Sequence, residues 1–308
     1  MDYISSPPKL ITKEADVTPT VLAAMANTDN PRLKEVMTVL VEHLHQFILK
    51  TRPTEEEFEY ALRWIVEIGQ LTNEFHNEVV LAADVVGAST LIDLINNDGM
   101  QGETMSALLG PFYRGGAPIC TNGDCIARSQ TPGATLFFSG RVIGIDGAPV
   151  AGAVLDVWQA SPVGLYENQD ATQEDCNLRG KFTSEADGRY HFRSVKPAGY
   201  PVPTDGPVGV LLRAQKREPM RPAHVHFIVS APGHKTLITQ IFSDTPEALA
   251  ADVVFGAKQQ IVGNFVMHTE PHPDYPDASL PFYTCEYDFK LVPGKSTMPV
   301  PPISGKKS

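Results

Sequence analysis

The stretch Arg221-Pro222-Ala223-His224-Val225-His226-Phe227 carries two histidines two residues apart inside a β-branched, aromatic run. In a strand, residues i and i+2 point to one face. His224 and His226 therefore present two imidazoles to one point in space, which is a metal-ligand arrangement. Imidazole serves zinc, copper, nickel and iron alike, so the motif names a site and not a metal. A mononuclear centre needs further donors, and a facial triad would take a carboxylate. What precedes the histidines instead is Gly164-Leu165-Tyr166 and Ala198-Gly199-Tyr200-Pro201, two tyrosines in Gly/Pro loops. Each tyrosine alone reads as a core or corner residue with a bonded hydroxyl. Together with the histidines they form a harder donor set. A phenol with an ordinary pKa of about 10 stays ionised at neutral pH only on a strongly acidic metal. Ferric iron meets that demand better than zinc does.

Two more residues stand close enough in sequence to take part. Arg221 lies three residues before His224. A guanidinium there either stabilises negative charge on a bound aromatic ring or forms a structural ion pair. Gln240 is the polar member of the apolar run around Leu237, Ile238, Ile241 and Phe242. It is either a satisfied core amide or a hydrogen-bonding group of a pocket.

The elements that must hold these residues fall into two groups. Asn30-Pro31 is an N-cap followed by proline at the first helical position. Leu33, Val36, Met37, Leu40, Leu44 and Phe47 then form an apolar stripe at helical spacing. Thr54 and Glu57 make a capping-box pattern that opens a second helix. A third helical segment spans residues 78–95 and ends in the breaker Asn96-Asn97-Asp98-Gly99. From about residue 110, Gly and Pro punctuate β-type runs at residues 136–145, 154–159, 188–195, 208–214, 224–230 and 236–242. Asp146-Gly147 and Asp187-Gly188 are hairpin-type turns. The pattern predicts an α+β fold. A helical domain at residues 1–105, for dimerisation or linkage, sits on an antiparallel β-sandwich at residues 106–308. A helical interlude at residues 246–262 and a loose Pro/Gly/Ser-rich tail from about residue 292 complete the expectation.

Composition bounds the partners. The 308 residues carry a formal net charge of −11 with no basic stripe, which argues against nucleic acid or anionic membrane as a main partner. No apolar stretch approaches the length of a membrane span. The segment MDYISSPPKL has none of the character of a secretory signal. Cys120, Cys125, Cys176 and Cys285 form no C-x-x-C pair and read as reduced thiols of a cytoplasmic protein.

Residues 110–242 resemble the intradiol ring-cleaving dioxygenases. The matching pieces are Gly110-Pro111-Phe112-Tyr113, Val157-Trp158-Gln159-Ala160, Gly164-Leu165-Tyr166, Leu178-Arg179-Gly180, Tyr200-Pro201-Val202-Pro203-Thr204-Asp205-Gly206-Pro207, the run from Arg221 to His226, and Thr239-Gln240-Ile241-Phe242. The helical first third is similar to the catechol branch of that family. The resemblance implies one non-haem Fe(III) per chain on Tyr166, Tyr200, His224 and His226, with Tyr200 and His226 axial. It implies that an aromatic 1,2-diol binds the iron through both oxygens, that Tyr200 takes a diol proton, and that O2 opens the ring between the hydroxylated carbons. Arg221 and Gln240 would support the charge that develops. The family's place is in aromatic hydrocarbon catabolism. Its catechol branch dimerises through the N-terminal helices around a channel that holds phospholipid.

The diol itself is less constrained. In hydroxyquinol-cleaving members a helix Leu and Asp, with an apolar-Gly-Pro-Phe loop, line the ring pocket. Leu81 and Asp84, followed by Leu109, Gly110, Pro111 and Phe112, look similar, and Val202, Pro203 and Arg221 would close the other side. Asp84 could then accept a hydrogen bond from a third hydroxyl; the plainer reading is a solvated helix residue. Hydroxyquinol, cleaved to 3-hydroxy-cis,cis-muconate and hence maleylacetate, is the expected substrate. Catechol or chlorocatechol, giving cis,cis-muconates, comes next. A reading of another class starts from residues 140–153, which are similar to the opening hairpin of transthyretin-like modules that bind without catalysis. Such a module, or a zinc hydrolase, would be colourless, whereas a tyrosinate-iron protein is reddish.

Overall fold

The computed structural model describes residues 10–97, 99, 101–128 and 130–307. Residues 1–9, which carry the reading of no secretory signal, and Asp98 of the breaker lie outside them. Contacts divide the chain into two compact units, Met1–Trp64 and Ile65–Ser308. The first holds α1 (Val17–Ala24), α2 (Pro31–Thr51) and the opening turns of α3 (Glu55–Leu71). The Asn30 side chain accepts from Leu33 N at 3.0 Å, as an N-cap should. Glu57 accepts from Thr54 N at 2.8 Å, and Thr54 Oγ1 accepts from Glu57 N at 3.2 Å. That reciprocal pair is the capping box expected from the spacing.

The second unit begins with α4 (Glu78–Val85) and α5 (Ala88–Asn96). The sequence pattern predicts one helix here; the chain breaks at Val86-Gly87, with Gly87 left-handed at φ 75. The strands follow as β1 (Thr135–Gly144), β2 (Val154–Trp158), β3 (Arg179–Thr183), β4 (Arg189–Val195) and β5 (Tyr200–Pro201). Then come α6 (Pro207–Ala214), β6 (Met220–Arg221), β7 (His224–Ser230), β8 (Leu237–Phe242), α7 (Pro246–Ala250), β9 (Phe265–His268), β10 (Phe282–Glu286) and β11 (Phe289–Leu291). One sheet is antiparallel in the order β3-β2-β7-β8. The other is mixed: β1 pairs antiparallel with β4 but parallel with β10 and β11. Apart from these two parallel pairings of β1, the sandwich is antiparallel as expected. Phe138, Phe192 and Phe227 pack between the sheets, with Phe138 and Phe192 stacked at 5.3 Å.

Four further departures have physical causes. Residues 208–214 form α6 and not a strand. Pro207 occupies its first turn, and Val208 and Leu212, four apart, are the buried side chains, a period that suits a helix. The interlude at residues 246–262 is not one helix. After α7, the Asp252 carboxylate takes the backbone N–H groups of Val254, Gly256 and Ala257, and these are lost to helical carbonyls. The tail is not loose. Ile303 is buried, Ser304 N and Gly305 N donate to Glu74 O, and Lys307 N donates to Asn168 O. Lastly, α4 and α5 group with the sandwich and not with the helices before residue 65. The Glu78 carboxylate accepts from Val208 N at 3.0 Å, and Leu81, Ala82, Asp84 and Val85 are all buried.

Candidate metal centre

The antiparallel sheet sets the centre by register. Arg179 of β3 pairs with Trp158 of β2, Trp158 with His226 of β7, and His226 with Gln240 of β8. Cross-strand partners project to the same face, so this row lies on one side of the sheet, with His224 one pleat further along. Val157, Val225, Phe227 and Ile241, of the opposite parity, enter the core between the sheets. Both faces of β7 are thus covered, which is why every residue of 224–229 is buried. The two tyrosines come from outside the sheet. Tyr166 precedes a short 3-10 turn, Glu167–Gln169, where Gln169 accepts from Tyr166 N. Tyr200 stands in β5, paired with Arg221 of β6.

The four side chains meet. Tyr166 Oη lies 3.0 Å from Tyr200 Oη and 3.0 Å from His226 Nε2, and the two Nε2 atoms are 3.1 Å apart. Donors about 2.1 Å from one ion and at right angles stand about 3.0 Å apart, so the spacing fits a single small cation. The orientation fits too. His224 Nδ1 donates to Pro222 O at 2.7 Å, which leaves the Nε2 lone pair facing inward. Burial pushes His224 down to about 3, with the Arg221 charge acting the same way, and drives His226 well below its ordinary value. Burial thus favours the neutral form of both rings, which carries the lone pair. Burial also raises the phenols, Tyr166 well above its ordinary value. For Tyr200, Arg221 works against the rise. A cation where the four groups converge stabilises the phenolates that burial disfavours.

Among the described residues, no three His, Cys, Asp or Glu side chains are placed to hold a metal. His76 Nε2 and Glu78 Oε2, 2.8 Å apart, form a local hydrogen bond, and His268 bonds Thr284. The two phenols bring the converging polar groups around His224 and His226 to four.

Residues 108–293 match the family described as Dioxygenase, and residues 30–104 match the family described as Catechol dioxygenase N terminus. The chain belongs to the intradiol ring-cleavage dioxygenases. A hydroxyquinol 1,2-dioxygenase of Rhizobium sp. (strain MTP-10005) is 43% identical over 276 residues, covering 89% of this chain and 93% of the relative. The structure of hydroxyquinol 1,2-dioxygenase from Pseudomonas putida DLL-E4 superposes with a TM-score of 0.83 at 35% identity, covering 91% of this chain and 99% of that one. Catechol 1,2-dioxygenase from Pseudomonas arvilla C-1 gives a TM-score of 0.79 at 30% identity, covering 92% and 93%. Intradiol dioxygenases use non-haem iron, and the two-phenol, two-imidazole set suits that metal.

Around the four converging side chains of this dioxygenase, Arg221 forms the ion pair that the sequence left open. Its Nη1 lies 3.3 Å from His224 Nε2, while Nε and Nη2 pair with Asp252 at 3.1 and 3.2 Å. Gln240 is fully engaged: Oε1 accepts from Arg221 Nη2 at 2.9 Å, and Nε2 donates to Leu108 O at 2.6 Å. It ties the guanidinium to the loop that carries Leu109 and Gly110. Gly110 is left-handed, and a Cβ there would stand 3.5 Å from His226 Cε1, so the loop passes against the His226 ring. Phe112 stacks on Tyr166 with centroids 4.7 Å apart.

Asp84 is not a solvated helix residue; it is 3% exposed. Burial pushes its carboxyl up to about 6, against a hydrogen bond from Ser89 and the Arg221 charge. With Leu109 and Gly110 it lines a cleft of about 550 Å³. Leu81 and Val202 are buried, and Pro203 is half-buried.

Three residues escaped sequence reasoning. Trp158 stacks on His226 at 4.5 Å. Asp252 holds Arg221. Arg179 joins Phe112 O to the Glu167 carboxylate beside Tyr166. Trp158 and Arg179 stand in two of the pieces that carry the family resemblance, Val157-Trp158-Gln159-Ala160 and Leu178-Arg179-Gly180, but neither the resemblance nor strand parity without register gave them a partner.

Proposed function

We propose that this chain cleaves hydroxyquinol (benzene-1,2,4-triol) with O2 between its adjacent hydroxylated carbons, giving 3-hydroxy-cis,cis-muconate, which tautomerises to maleylacetate. One Fe(III) per chain would be held by Tyr166, Tyr200, His224 and His226. Bound there, it supplies a Lewis acid that holds the diol and draws electron density from the ring. The protein's own groups do the rest. Tyr200 takes a diol proton on its phenolic oxygen. Arg221, with Nη1 directed at the donors, stabilises negative charge on the ring. Trp158, Phe112 and the Gly110 loop keep water from the reacting carbons. Both atoms of O2 enter the product.

The observation that carries the substrate is Asp84, a buried carboxylate on the cleft wall whose field reaches Arg221. A buried acceptor favours the diol that brings a third hydroxyl. The named hydroxyquinol enzymes at 43% and 35% identity support the same choice. Asp84→Ala is expected to lower kcat/KM for hydroxyquinol by roughly ten- to a hundred-fold, the loss of a hydrogen bond to a charged group. Catechol, which offers no third hydroxyl, should change little. Steady-state turnover of both diols with product spectra measures this, and an equal loss on both would reduce Asp84 to a shape-forming role.

The chain would work as a homodimer. Leu33, Leu40, Leu44 and Phe47 of α2 are each about half exposed or more, an apolar stripe suited to a partner copy with phospholipid among the helices. Sedimentation at micromolar concentration should give twice the 33.5 kDa chain mass; a monomer mass rejects the dimer, and mass spectrometry of extracted lipid tests the channel. Cys120, Cys125, Cys176 and Cys285 are all free thiols, which supports a cytoplasmic setting. No helix among the described residues is long and apolar enough to cross a membrane.

A further inference from the structure

We infer that Asp252 is a positioning residue of the centre: its carboxylate clamps the Arg221 guanidinium and balances its charge, so that a permanent cation can lie against the metal donors. This rests on the assignment of Tyr166, Tyr200, His224 and His226 proposed above. Asp252 is 3% exposed, and five donors converge on its two oxygens. Oδ1 takes Arg221 Nε at 3.1 Å and Val254 N at 3.4 Å. Oδ2 takes Arg221 Nη2 at 3.2 Å, Gly256 N at 3.0 Å and Ala257 N at 3.1 Å. The turn that supplies these amides passes through Phe255 at φ 58. Gly256 leaves the pair its room: a Cβ there would stand 3.1 Å from Arg221 Nη2 and 3.3 Å from Asp252 Oδ2 and would press both groups aside by a few tenths of an ångström.

The order of constraint follows. Backbone amides fix the carboxylate, and the carboxylate fixes Nε and Nη2. Nη1 is thereby left 3.3 Å from His224 Nε2. A guanidinium keeps its proton throughout the range proteins meet. Beside a multiply charged metal ion it would repel that ion. A bidentate carboxylate cancels most of the repulsion while leaving the directed N–H groups in place. Gln240, whose Oε1 also accepts from Arg221 Nη2, is uncharged and cannot do so.

The test compares Asp252→Asn, Arg221→Gln and the double variant by iron retained per chain under chelator challenge, by tyrosinate-to-iron absorption, and by kcat and KM separately. Asp252→Asn keeps the shape and loses the charge. It is expected to hold iron at least about ten-fold less tightly, with a fall in kcat larger than any change in KM. Adding Arg221→Gln removes the uncompensated cation and should restore iron retention towards that of the unaltered protein, while turnover stays low. Such a rescue is a coupling that a merely structural role would not produce. A double variant that holds iron no better than Asp252→Asn overturns the inference, as does unaltered iron retention in Asp252→Asn. Should Asp252→Asn fail to fold, Gly256→Ala decides: it keeps both charges but presses on the pair, so kcat should fall with iron retained, and an unaltered kcat overturns the inference. An unaltered protein that takes up no iron would instead reject the metal assignment, and that measurement comes first.

Discussion

Replacing His226 with alanine should yield a folded protein that keeps almost no iron and turns over no diol. His226 sits at the middle of the site, with Nε2 3.0 Å from Tyr166 Oη and 3.1 Å from His224 Nε2. Loss of a group that only orients a metal ligand typically costs about 10- to 100-fold in affinity; loss of the donor itself costs more. The remaining phenols would then lack the cation that holds them ionised, and burial would return them to the neutral form. The fold should survive. The core between the sheets is built from the opposite face of β7, from Val225, Phe227 and Val229, and alanine leaves those contacts intact. The cost is the stack on Trp158 and the space the ring filled, on the order of 2–4 kcal/mol for a buried side chain of this size. Iron analysis, visible absorption and far-ultraviolet circular dichroism on one preparation separate these effects. A His226→Ala protein with one iron per chain and an unchanged tyrosinate band would remove His226 from the donor set.

Why that residue was legible in the sequence, and others were not, is a matter of distance along the chain. His224 and His226 share a strand, and period-two geometry places them together without any knowledge of the fold. The caps at Asn30 and Thr54 are equally local. Tyr166 and Tyr200 have no local link to the histidines; only their resemblance to a family pattern joined the four. Asp252 is thirty-one residues from Arg221 and sits in an apolar run, Ala-Ala-Asp-Val-Val, where periodicity predicts a helix. The ion pair itself defeats that helix by drawing amides onto the carboxylate. The misread strand at residues 208–214 shows the opposite failure. A short apolar run is ambiguous between periods, and the decisive signal was Pro207 at the first helical turn. The tail read as loose because its composition is polar and Pro-rich, yet single docking contacts such as Ser304 N to Glu74 O leave no periodic trace.

Tyr200→Phe is expected to keep most of its iron and lose turnover by about 10²- to 10⁴-fold, the usual contribution of a placed general base. The substitution removes one oxygen and little else. The ring can keep its edge contact with Tyr166, at 5.4 Å, and its contact with His224, at 5.5 Å, so Tyr166, His224 and His226 remain as donors. What disappears is the acceptor for a diol proton. Of the two phenols, Tyr200 is suited to that task. It pairs with Arg221 across β5 and β6, and the guanidinium offsets part of the rise that burial imposes on its pKa. Tyr166 is also raised by burial, and it is anchored beside the buried Arg179–Glu167 pair. Tyr166→Phe should therefore weaken iron retention more than Tyr200→Phe does, and the two variants should differ in the ratio of iron lost to turnover lost. Iron content, the intensity of the tyrosinate band and single-turnover kinetics with excess enzyme measure that ratio. Full turnover in Tyr200→Phe would take the base role away from this residue and leave the diol protons to solvent.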